Sequence, residues 1–318
     1  MTLSTHDTPY LHLIEGISFQ PIFILGLHRS GTSILYKMLA ETGCFNTVST
    51  YHILRFDELL SDKITHRQEA ERLKLQQLFQ DLGITTRKID HLQITPDFAQ
   101  EYVYLLTKKS SANKITNKNY VFFDLLCKKI QYISENTKPI LVKNPYDFGN
   151  FMVLKNLYPS ARFIFIHREP VKVIDSTLRA WHTLLSEKNP YTVLFSRQYE
   201  KIFENPLYHS LLCWYYSSNI PFGFLGIVHQ AKKMTSYYLK HVRYLHQHCY
   251  ISLRYEDLCL HPNECIRSIM DFLGLPMTVD VHKEIKPREQ KLLPIVQQYT
   301  PYIKKVLYSY RKYNNYLS

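Results

Sequence analysis

The stretch FILGLHRSGTS, residues 23–33, decides the fold class of this chain, and the apolar-periodic segment ILYKMLAETG follows it directly. Apolar residues run into Gly26 and then into a cluster of small hydroxyl residues. This order predicts a strand, a tight turn and a helix start. A helix that begins in this way presents unpaired backbone N–H groups and the positive end of its dipole to an anion. The segment therefore predicts a site for a phosphate or a group of similar shape.

The loop departs from the usual nucleoside-triphosphate loop at one position. The pattern GxxxxGK followed by Ser or Thr is met by Gly26, Gly31 and Ser33, but Thr32 stands where the lysine belongs. Without that lysine, the loop is a poor triphosphate site. Arg29, together with the amides and hydroxyls of the residues after it, can still surround a tetrahedral oxyanion.

Four short apolar runs predict buried parallel strands, at residues 22–25, 140–142, 162–166 and 250–253. Each run leads into a helical segment, so the chain predicts an α/β fold with a P-loop-like parallel sheet flanked by helices. Ligands of such sheets bind at the carboxyl ends of the strands. We therefore expect the chemistry at residues 26–33, 143–147, 167–176 and 254–257.

Two long segments interrupt this pattern, at about residues 54–135 and 181–245, and the second is rich in Trp, Tyr, Phe and His. Insertions of this size usually build the cover over a site. We expect residues 1–318 to form a single domain whose helical insertions cover the active site. An ordinary helical cap packed on the sheet explains the aromatic residues just as well.

Composition limits the class of protein and of partner. A chain of 318 residues with 45% hydrophobic content can bury a sizeable core, and a formal charge of +12 indicates an anionic partner. The basic segment at about 283–318 predicts a solvated helical face, with a peripheral membrane or nucleic-acid surface as the alternative. We expect no nucleic-acid partner.

The cysteines and the apolar runs bear on the compartment. The six cysteines lack the paired spacing of a small disulfide-bonded domain, so we expect reduced thiols. No apolar run near the N-terminus reaches the length of a signal peptide or a membrane span. We therefore expect a cytoplasmic protein.

A second anion site is predicted at the end of the third strand. Arg168 ends this strand and Ser176 lies eight residues on, where both can converge on one phosphate. Taken together, these residues resemble the sulfotransferases that use 3′-phosphoadenosine 5′-phosphosulfate (PAPS), and especially the bacterial and tyrosylprotein-type branch with an RSGTT/S loop. The resemblance implies that the 5′-phosphosulfate is held by Arg29, Ser30, Gly31, Thr32 and Ser33, and the 3′-phosphate by Arg168 and Ser176. It implies PAPS as donor and no metal, since side chains meet the donor's charge.

Three shorter matches extend the resemblance. The KNP at 143–145 is similar to the KDP of the tyrosylprotein enzymes, which implies that Lys143 lies by the transferring sulfuryl group; a surface lysine at a strand end is the alternative. The RYEDL at 254–258 is similar to the family's late RYE segment, which implies that Tyr255 touches the nucleotide. The late EIKP resembles a lysine-bearing segment near the donor, which makes Lys286 a further candidate.

The segment that would carry the general base departs from the family pattern. The tyrosylprotein enzymes carry a glutamate about twenty residues after the loop arginine, but the corresponding segment TVSTYHILRFDELL has no acid until Asp57. His52 is the nearest residue that can accept a proton at neutral pH, and we predict it as the base. The alternatives are Glu58 or Asp57, a histidine elsewhere such as His28 or His182, and a packed, non-catalytic His52.

The predicted reaction is in-line transfer of the sulfuryl group to a hydroxyl or, with less support, an amine. Arg29, Lys143 and the helix start would stabilise the charge that spreads over the sulfuryl and bridging oxygens. Two other functions stay open at this point. A P-loop kinase with an altered loop would need a magnesium-binding carboxylate at a strand end, and a non-catalytic basic nucleotide- or anion-binding protein would need no acceptor. The acceptor itself is not defined by the sequence.

Overall fold

A five-stranded parallel sheet forms the centre of the computed structural model, which describes residues 5–87, 92–277 and 291–317. The strands are β1 (Pro21–Leu25), β2 (Asn46–Thr47), β3 (Ile140–Lys143), β4 (Arg162–His167) and β5 (Tyr250–Arg254). Their order across the sheet is β2-β3-β1-β4-β5, and every neighbouring pair is parallel. The predicted α/β class and the four predicted strands are confirmed, and β2 is a short edge strand that the sequence analysis did not predict.

The helices alternate with these strands and line both faces of the sheet. They are α1 (Thr32–Glu41), α2 (Thr50–Leu54), α3 (Leu59–Ile64), α4 (Gln68–Asp81), α5 (Val103–Ser110), α6 (Tyr120–Ser134), α7 (Phe151–Leu157), α8 (Pro170–Ser186), α9 (Pro190–Phe195), α10 (Arg197–Glu204), α11 (Pro206–Tyr215), α12 (Pro221–His241), α13 (Tyr255–Leu260), α14 (Pro262–Leu273), α15 (Pro294–Gln298), α16 (Thr300–Val306) and α17 (Tyr308–Tyr313). Short 3-10 helices span Thr8–Ile14, Pro145–Gly149, Val242–Tyr244 and Gln247–Cys249.

The central strand β1 shows why the sheet is buried on both faces. All five of its residues are buried. Because successive side chains of a strand point to opposite faces, Phe23 and Leu25 enter one core while Ile22 and Ile24 enter the other. Helices α1 and α14 cover the smaller core, and α6, α7, α8 and α12 contribute to the larger one. Continuous apolar runs are the expected pattern for strands covered on both sides.

The two predicted insertions are helical. Residues 54–135 contain α3 to α6, and residues 181–245 contain the end of α8 and α9 to α12. The insertions meet where Gln100 donates a hydrogen bond to the Tyr191 hydroxyl and where the rings of Tyr104 and Phe195 lie 4.8 Å apart. That residues 1–318 form one domain stays a prediction. Within the described ranges, no helix is both long and apolar enough to cross a bilayer.

Candidate active site

The loop between β1 and α1 is a tight turn whose geometry depends on glycine. The Ser30 N–H donates to the Leu27 carbonyl at 3.1 Å, and Arg29 adopts a φ of 68°. Gly31 caps α1 with a φ of 99°, and α1 begins at Thr32 without a side-chain hydrogen bond to its first turn. The amides at the start of the helix are therefore not occupied by a capping side chain. Such amides can bind an anion, and that they do so here stays a prediction.

Close packing on the loop explains its two glycines. A Cβ on Gly31 would overlap the ring of Tyr255, which follows β5 directly. A Cβ on Gly26 would overlap the backbone carbonyl of Ile166 in β4. Both positions therefore need glycine for space, and Gly31 also needs it for its positive φ.

Four predicted donor-binding residues contact one another. Arg29 Nε donates to Ser176 Oγ at 3.1 Å, and Arg168 Nη1 donates to the Arg29 carbonyl at 2.9 Å. The Arg168 guanidinium also lies 4.5 Å from the centre of the Tyr255 ring. Residues from the ends of β1, β4 and β5 and from α8 thus form one surface, because these strands are neighbours in the sheet.

Lys143 reaches the same loop from the end of β3. Its Nζ donates to Ser33 Oγ at 2.7 Å, and the side chain is 1% exposed. The hydroxyl of Ser30 is also buried, and no hydrogen-bond partner is found for it among the described residues. The loop therefore offers one half-buried hydroxyl, that of Ser33, which is paired with a cation, and one buried hydroxyl, that of Ser30, which is unsatisfied.

Glu101 is a site residue that the sequence analysis missed. Its Oε1 accepts from Lys143 Nζ at 2.7 Å, and Arg87 Nη2 lies 4.0 Å from the same oxygen. Burial raises the pKa of the Glu101 carboxyl, but the Lys143 and Arg87 cations outweigh burial and lower it to about 2. The carboxylate is therefore ionised at neutral pH. Glu101 lies in a loop before α5, outside any motif, and no signal in the sequence singles it out.

His28 lies within electrostatic reach of the Lys143–Glu101 pair. Burial lowers the pKa of the His28 imidazole to about 4, so the ring is neutral near pH 7. Its Nε2 is buried, without a hydrogen-bond partner in the described part of the chain. The ring packs edge-on against Tyr146, with centroids 4.4 Å apart.

The structure places His52 in a different environment. His52 is the third residue of α2, and its Nδ1 accepts from the Ser49 N–H at 3.1 Å while the Ser49 hydroxyl accepts from the His52 N–H at 3.3 Å. This reciprocal capping box occupies the ring nitrogen that would otherwise accept a proton. Burial and the Arg72 guanidinium lower the pKa of His52 to about 4, and Asp97 is its other charged neighbour.

The other candidate bases are held by local partners. Lys109 Nζ donates to Asp57 at 2.6 Å, and Arg55 lies 2.5 Å from a Glu58 oxygen. The Nε2 of His182 lies 2.6 Å from the Tyr216 carbonyl. Lys286 lies outside the described residues, as do the other residues of 283–290 at the start of the basic segment.

C-terminal residues form hydrogen bonds with the residues that follow Arg168 and Tyr255. Glu256 accepts from the Glu169 N–H at 3.1 Å through Oε1 and from the Tyr316 hydroxyl at 2.7 Å through Oε2. Arg311 Nε donates to Glu169 Oε1 at 3.0 Å. Glu169 follows Arg168 and Glu256 follows Tyr255, so this network ties the two strand ends together.

Comparisons with known proteins identify the family and the fold of this chain. A family model described as the sulfotransferase family matches residues 21–210, more than half of the chain. Two solved structures are similar over 96% of this chain and 80% of their own: sulfotransferase STF9 from Mycobacterium avium, with 13% identity and a TM-score of 0.62, and sulfotransferase STF1 from Mycobacterium tuberculosis H37Rv, with 14% identity and a TM-score of 0.59. At such identities the likeness shows the fold alone. Among curated proteins, none matches the sequence.

The family match begins at the first residue of β1 and ends within α11. It therefore includes the loop of Arg29, the end of β3 with Lys143, and the paired positions Arg168 and Ser176. The resemblance first seen in the RSGTS loop is confirmed at the level of the family. This chain belongs to the sulfotransferase family.

Proposed function

We propose that this chain transfers a sulfuryl group from PAPS to a hydroxyl acceptor by direct in-line attack. The observation that carries the proposal is the hydrogen bond between Arg29 and Ser176. It brings the loop predicted for the 5′-phosphosulfate against the helix predicted for the 3′-phosphate. A donor with a 5′-phosphosulfate and a 3′-phosphate on its ribose fits two adjacent anion sites. ATP has no 3′-phosphate and therefore leaves the second site without a ligand.

The contacts around the loop support the donor-binding roles that the resemblance implies. Residues 30–33 and the start of α1 surround the 5′-phosphosulfate with amides and hydroxyls, and Arg29 supplies a cation. Arg168 and Ser176 bind the 3′-phosphate, and Tyr255 stacks near the nucleotide. Arg168 also holds the Arg29 carbonyl, which supports the left-handed conformation of Arg29.

Lys143 and Glu101 are the groups best placed for catalysis. Lys143 stabilises the negative charge on the sulfuryl and bridging oxygens, since its Nζ contacts the donor loop at Ser33. Glu101 acts as the general base. The acceptor oxygen forms a bond to sulfur, its proton moves to Glu101, and the bond from sulfur to the bridging oxygen breaks to release adenosine 3′,5′-bisphosphate. When Lys143 turns to the donor, Glu101 loses part of its pairing and becomes a stronger base.

The assignment to Glu101 replaces His52 as our preferred base because of what each residue contacts. Glu101 accepts a hydrogen bond from Lys143, while the Nδ1 of His52 already accepts one from the Ser49 N–H. His28 is the second candidate, since its ring is neutral and its Nε2 is unpartnered among the described residues. The role of His52 stays a prediction that a substitution can test.

Donor binding is tested by thermal unfolding of the full chain. Adenosine 3′,5′-bisphosphate in EDTA should raise the melting temperature, and ATP with Mg²⁺ should raise it much less. Equal stabilisation by ATP with Mg²⁺ would favour a P-loop kinase.

Sulfuryl transfer is tested by incubating ³⁵S-labelled donor with extract of the producing cells, where a labelled product identifies the acceptor. Donor binding without any labelled product would support a non-catalytic nucleotide-binding protein.

A further inference from the structure

Helix α11 carries its large apolar side chains on the outside. Leu207, Leu211 and Trp214 recur at helical spacing on one side of the helix, and Leu207 is 84% exposed. The Phe222 ring at the start of α12 lies 5.9 Å from that of Trp214, and Tyr208 is exposed beside them. We refer to Leu207, Tyr208, Leu211, Trp214 and Phe222 as the apolar face.

Helix α11 has no buried residue, and its most exposed large side chains are apolar. Its polar His209 points inward, with Nε2 at 2.8 Å from the Leu185 carbonyl of α8. The Asn205 side chain caps the helix by accepting from the Tyr208 N–H at 3.0 Å. A Cβ on Gly223 would overlap the Tyr215 carbonyl, so the start of α12 packs tightly on the end of α11. The apolar face is thus held outward by packing, and a contiguous exposed patch of this kind marks an interaction surface.

Basic residues extend from the apolar face along α12. Phe222, His229, Lys233 and Lys240 are exposed and are spaced by seven, four and seven residues, which places them on one side of the helix. On α10, which packs against α11, the acids Glu200 and Glu204 lie 2.6 and 3.6 Å from Arg197. The charge next to the apolar face is therefore mainly positive.

We propose that the apolar face and the basic side of α12 bind an anionic lipid bilayer. Leucine, tryptophan and tyrosine side chains of this kind enter the boundary between headgroups and acyl chains, while lysines contact lipid phosphates. A second copy of the chain fits this surface less well, since both copies carry a formal charge of +12 and would present like-charged lysines to each other. This interaction is separate from sulfuryl transfer and does not depend on it.

Vesicle co-sedimentation of the full chain tests the proposal. The wild type should bind vesicles of phosphatidylcholine with one quarter phosphatidylglycerol more tightly than vesicles of phosphatidylcholine alone. The triple variant Leu207→Ser/Leu211→Ser/Trp214→Ser should lower the partition coefficient by about tenfold or more, because it removes inserted apolar area. Leu260→Ser is the matched control, since Leu260 is 69% exposed at the end of α13, and it should bind like the wild type.

A charge-reversal variant tests the basic side separately. Lys233→Glu/Lys240→Glu should weaken binding to the phosphatidylglycerol vesicles and leave the weak binding to phosphatidylcholine unchanged. All six substituted positions, Leu260 included, are exposed, so each variant should keep the wild-type melting temperature. The proposal is wrong if the wild type does not bind the anionic vesicles, or if the triple variant binds them equally well. It is also wrong if light scattering finds a dimer that the triple variant dissociates while no vesicle binding occurs.

Discussion

Arg29 and Ser176 lie 147 positions apart in the chain and meet through a hydrogen bond of 3.1 Å. The bond connects the loop after β1 to the helix after β4. These strands are neighbours in the sheet, so their carboxyl ends open onto the same edge. The two predicted anion sites are therefore adjacent parts of one surface, and substitutions on either side should act on the same ligand.

Arg168→Ala should weaken binding of adenosine 3′,5′-bisphosphate by about 2–4 kcal/mol, the loss expected when a hydrogen-bonded cation is removed from a phosphate. Ser176→Ala should cost about 1 kcal/mol, since it removes one hydroxyl contact. Isothermal titration calorimetry measures both. Arg162→Ala is the matched control, because Arg162 lies at the opposite end of β4 from Arg168 and donates a hydrogen bond to the Phe272 carbonyl. Unchanged affinity in the first two variants would show that the 3′-phosphate site lies elsewhere.

Glu101→Gln should lower turnover by roughly two to four orders of magnitude, because the amide cannot accept the acceptor's proton. Affinity for adenosine 3′,5′-bisphosphate should change little. His52→Gln should keep most of the activity, since glutamine at this position can still accept the Ser49 amide in the capping box. Turnover is measured with the acceptor identified by ³⁵S labelling. The reverse result, an inactive His52→Gln and an active Glu101→Gln, would restore His52 as the base.

Gly31→Ala should abolish most nucleotide binding. The added methyl group meets the Tyr255 ring, and alanine is strained at a φ of 99°, by about 1–3 kcal/mol. Gly43→Ala is the control, because Gly43 has a φ of 69° with open space around it. Calorimetry should find near-normal nucleotide affinity in Gly43→Ala. If Gly31→Ala bound the nucleotide as tightly as Gly43→Ala does, the loop would not approach the nucleotide.

Tyr316→Phe should weaken nucleotide binding by about 0.5–1.5 kcal/mol without unfolding the chain. The hydroxyl of Tyr316 donates to Glu256, which in turn accepts the amide that follows Arg168. The loss would show as a higher KM for the donor at unchanged kcat. Tyr308→Phe, at an exposed position of α17, should leave KM as it is. Equal effects of both variants would contradict a positioning role for Tyr316.

Acidification should destabilise the folded chain between pH about 6.5 and 4. Burial lowers the pKa of His28 and His52 to about 4 and that of His167 to about 3, so the unfolded chain takes up three protons that the folded chain does not bind. Burial raises the pKa of Asp147 to about 6, so at this site the folded chain binds one proton that the unfolded chain does not, which partly offsets the loss of stability. Unfolding therefore takes up about two protons in net, so the free energy of unfolding falls by at most about 2.7 kcal/mol for each pH unit of acidification.

Urea unfolding at pH 7 and pH 5 measures this dependence. His167→Asn should reduce the slope by about one proton, because asparagine does not titrate and can still pair with the Tyr310 hydroxyl that lies 2.7 Å from His167 Nδ1. A stability that is flat or rises on acidification would show that these histidines are not kept neutral by the fold.

Local sequence determined the features that depend on neighbouring residues. The apolar runs predicted four strands because burial on both faces demands continuous apolar side chains. The RSGTS loop indicated the family because Arg29, Gly31 and the three hydroxyl residues are consecutive. The placement of Arg168 and Ser176 next to the loop could also be expected, since both follow a strand of a parallel sheet. Their roles in binding stay predictions.

Tertiary packing decided what brings distant side chains together. Glu101 lies 42 positions from Lys143 and contacts it only because the loop before α5 folds over the end of β3. The pairing of Tyr316 with Glu256 likewise joins the C-terminal residues to the start of α13, directly after β5. The helical period of α11 is readable from its sequence, but the direction of its apolar face is not, because periodicity defines two faces and only the packing against α8 determines which one is covered.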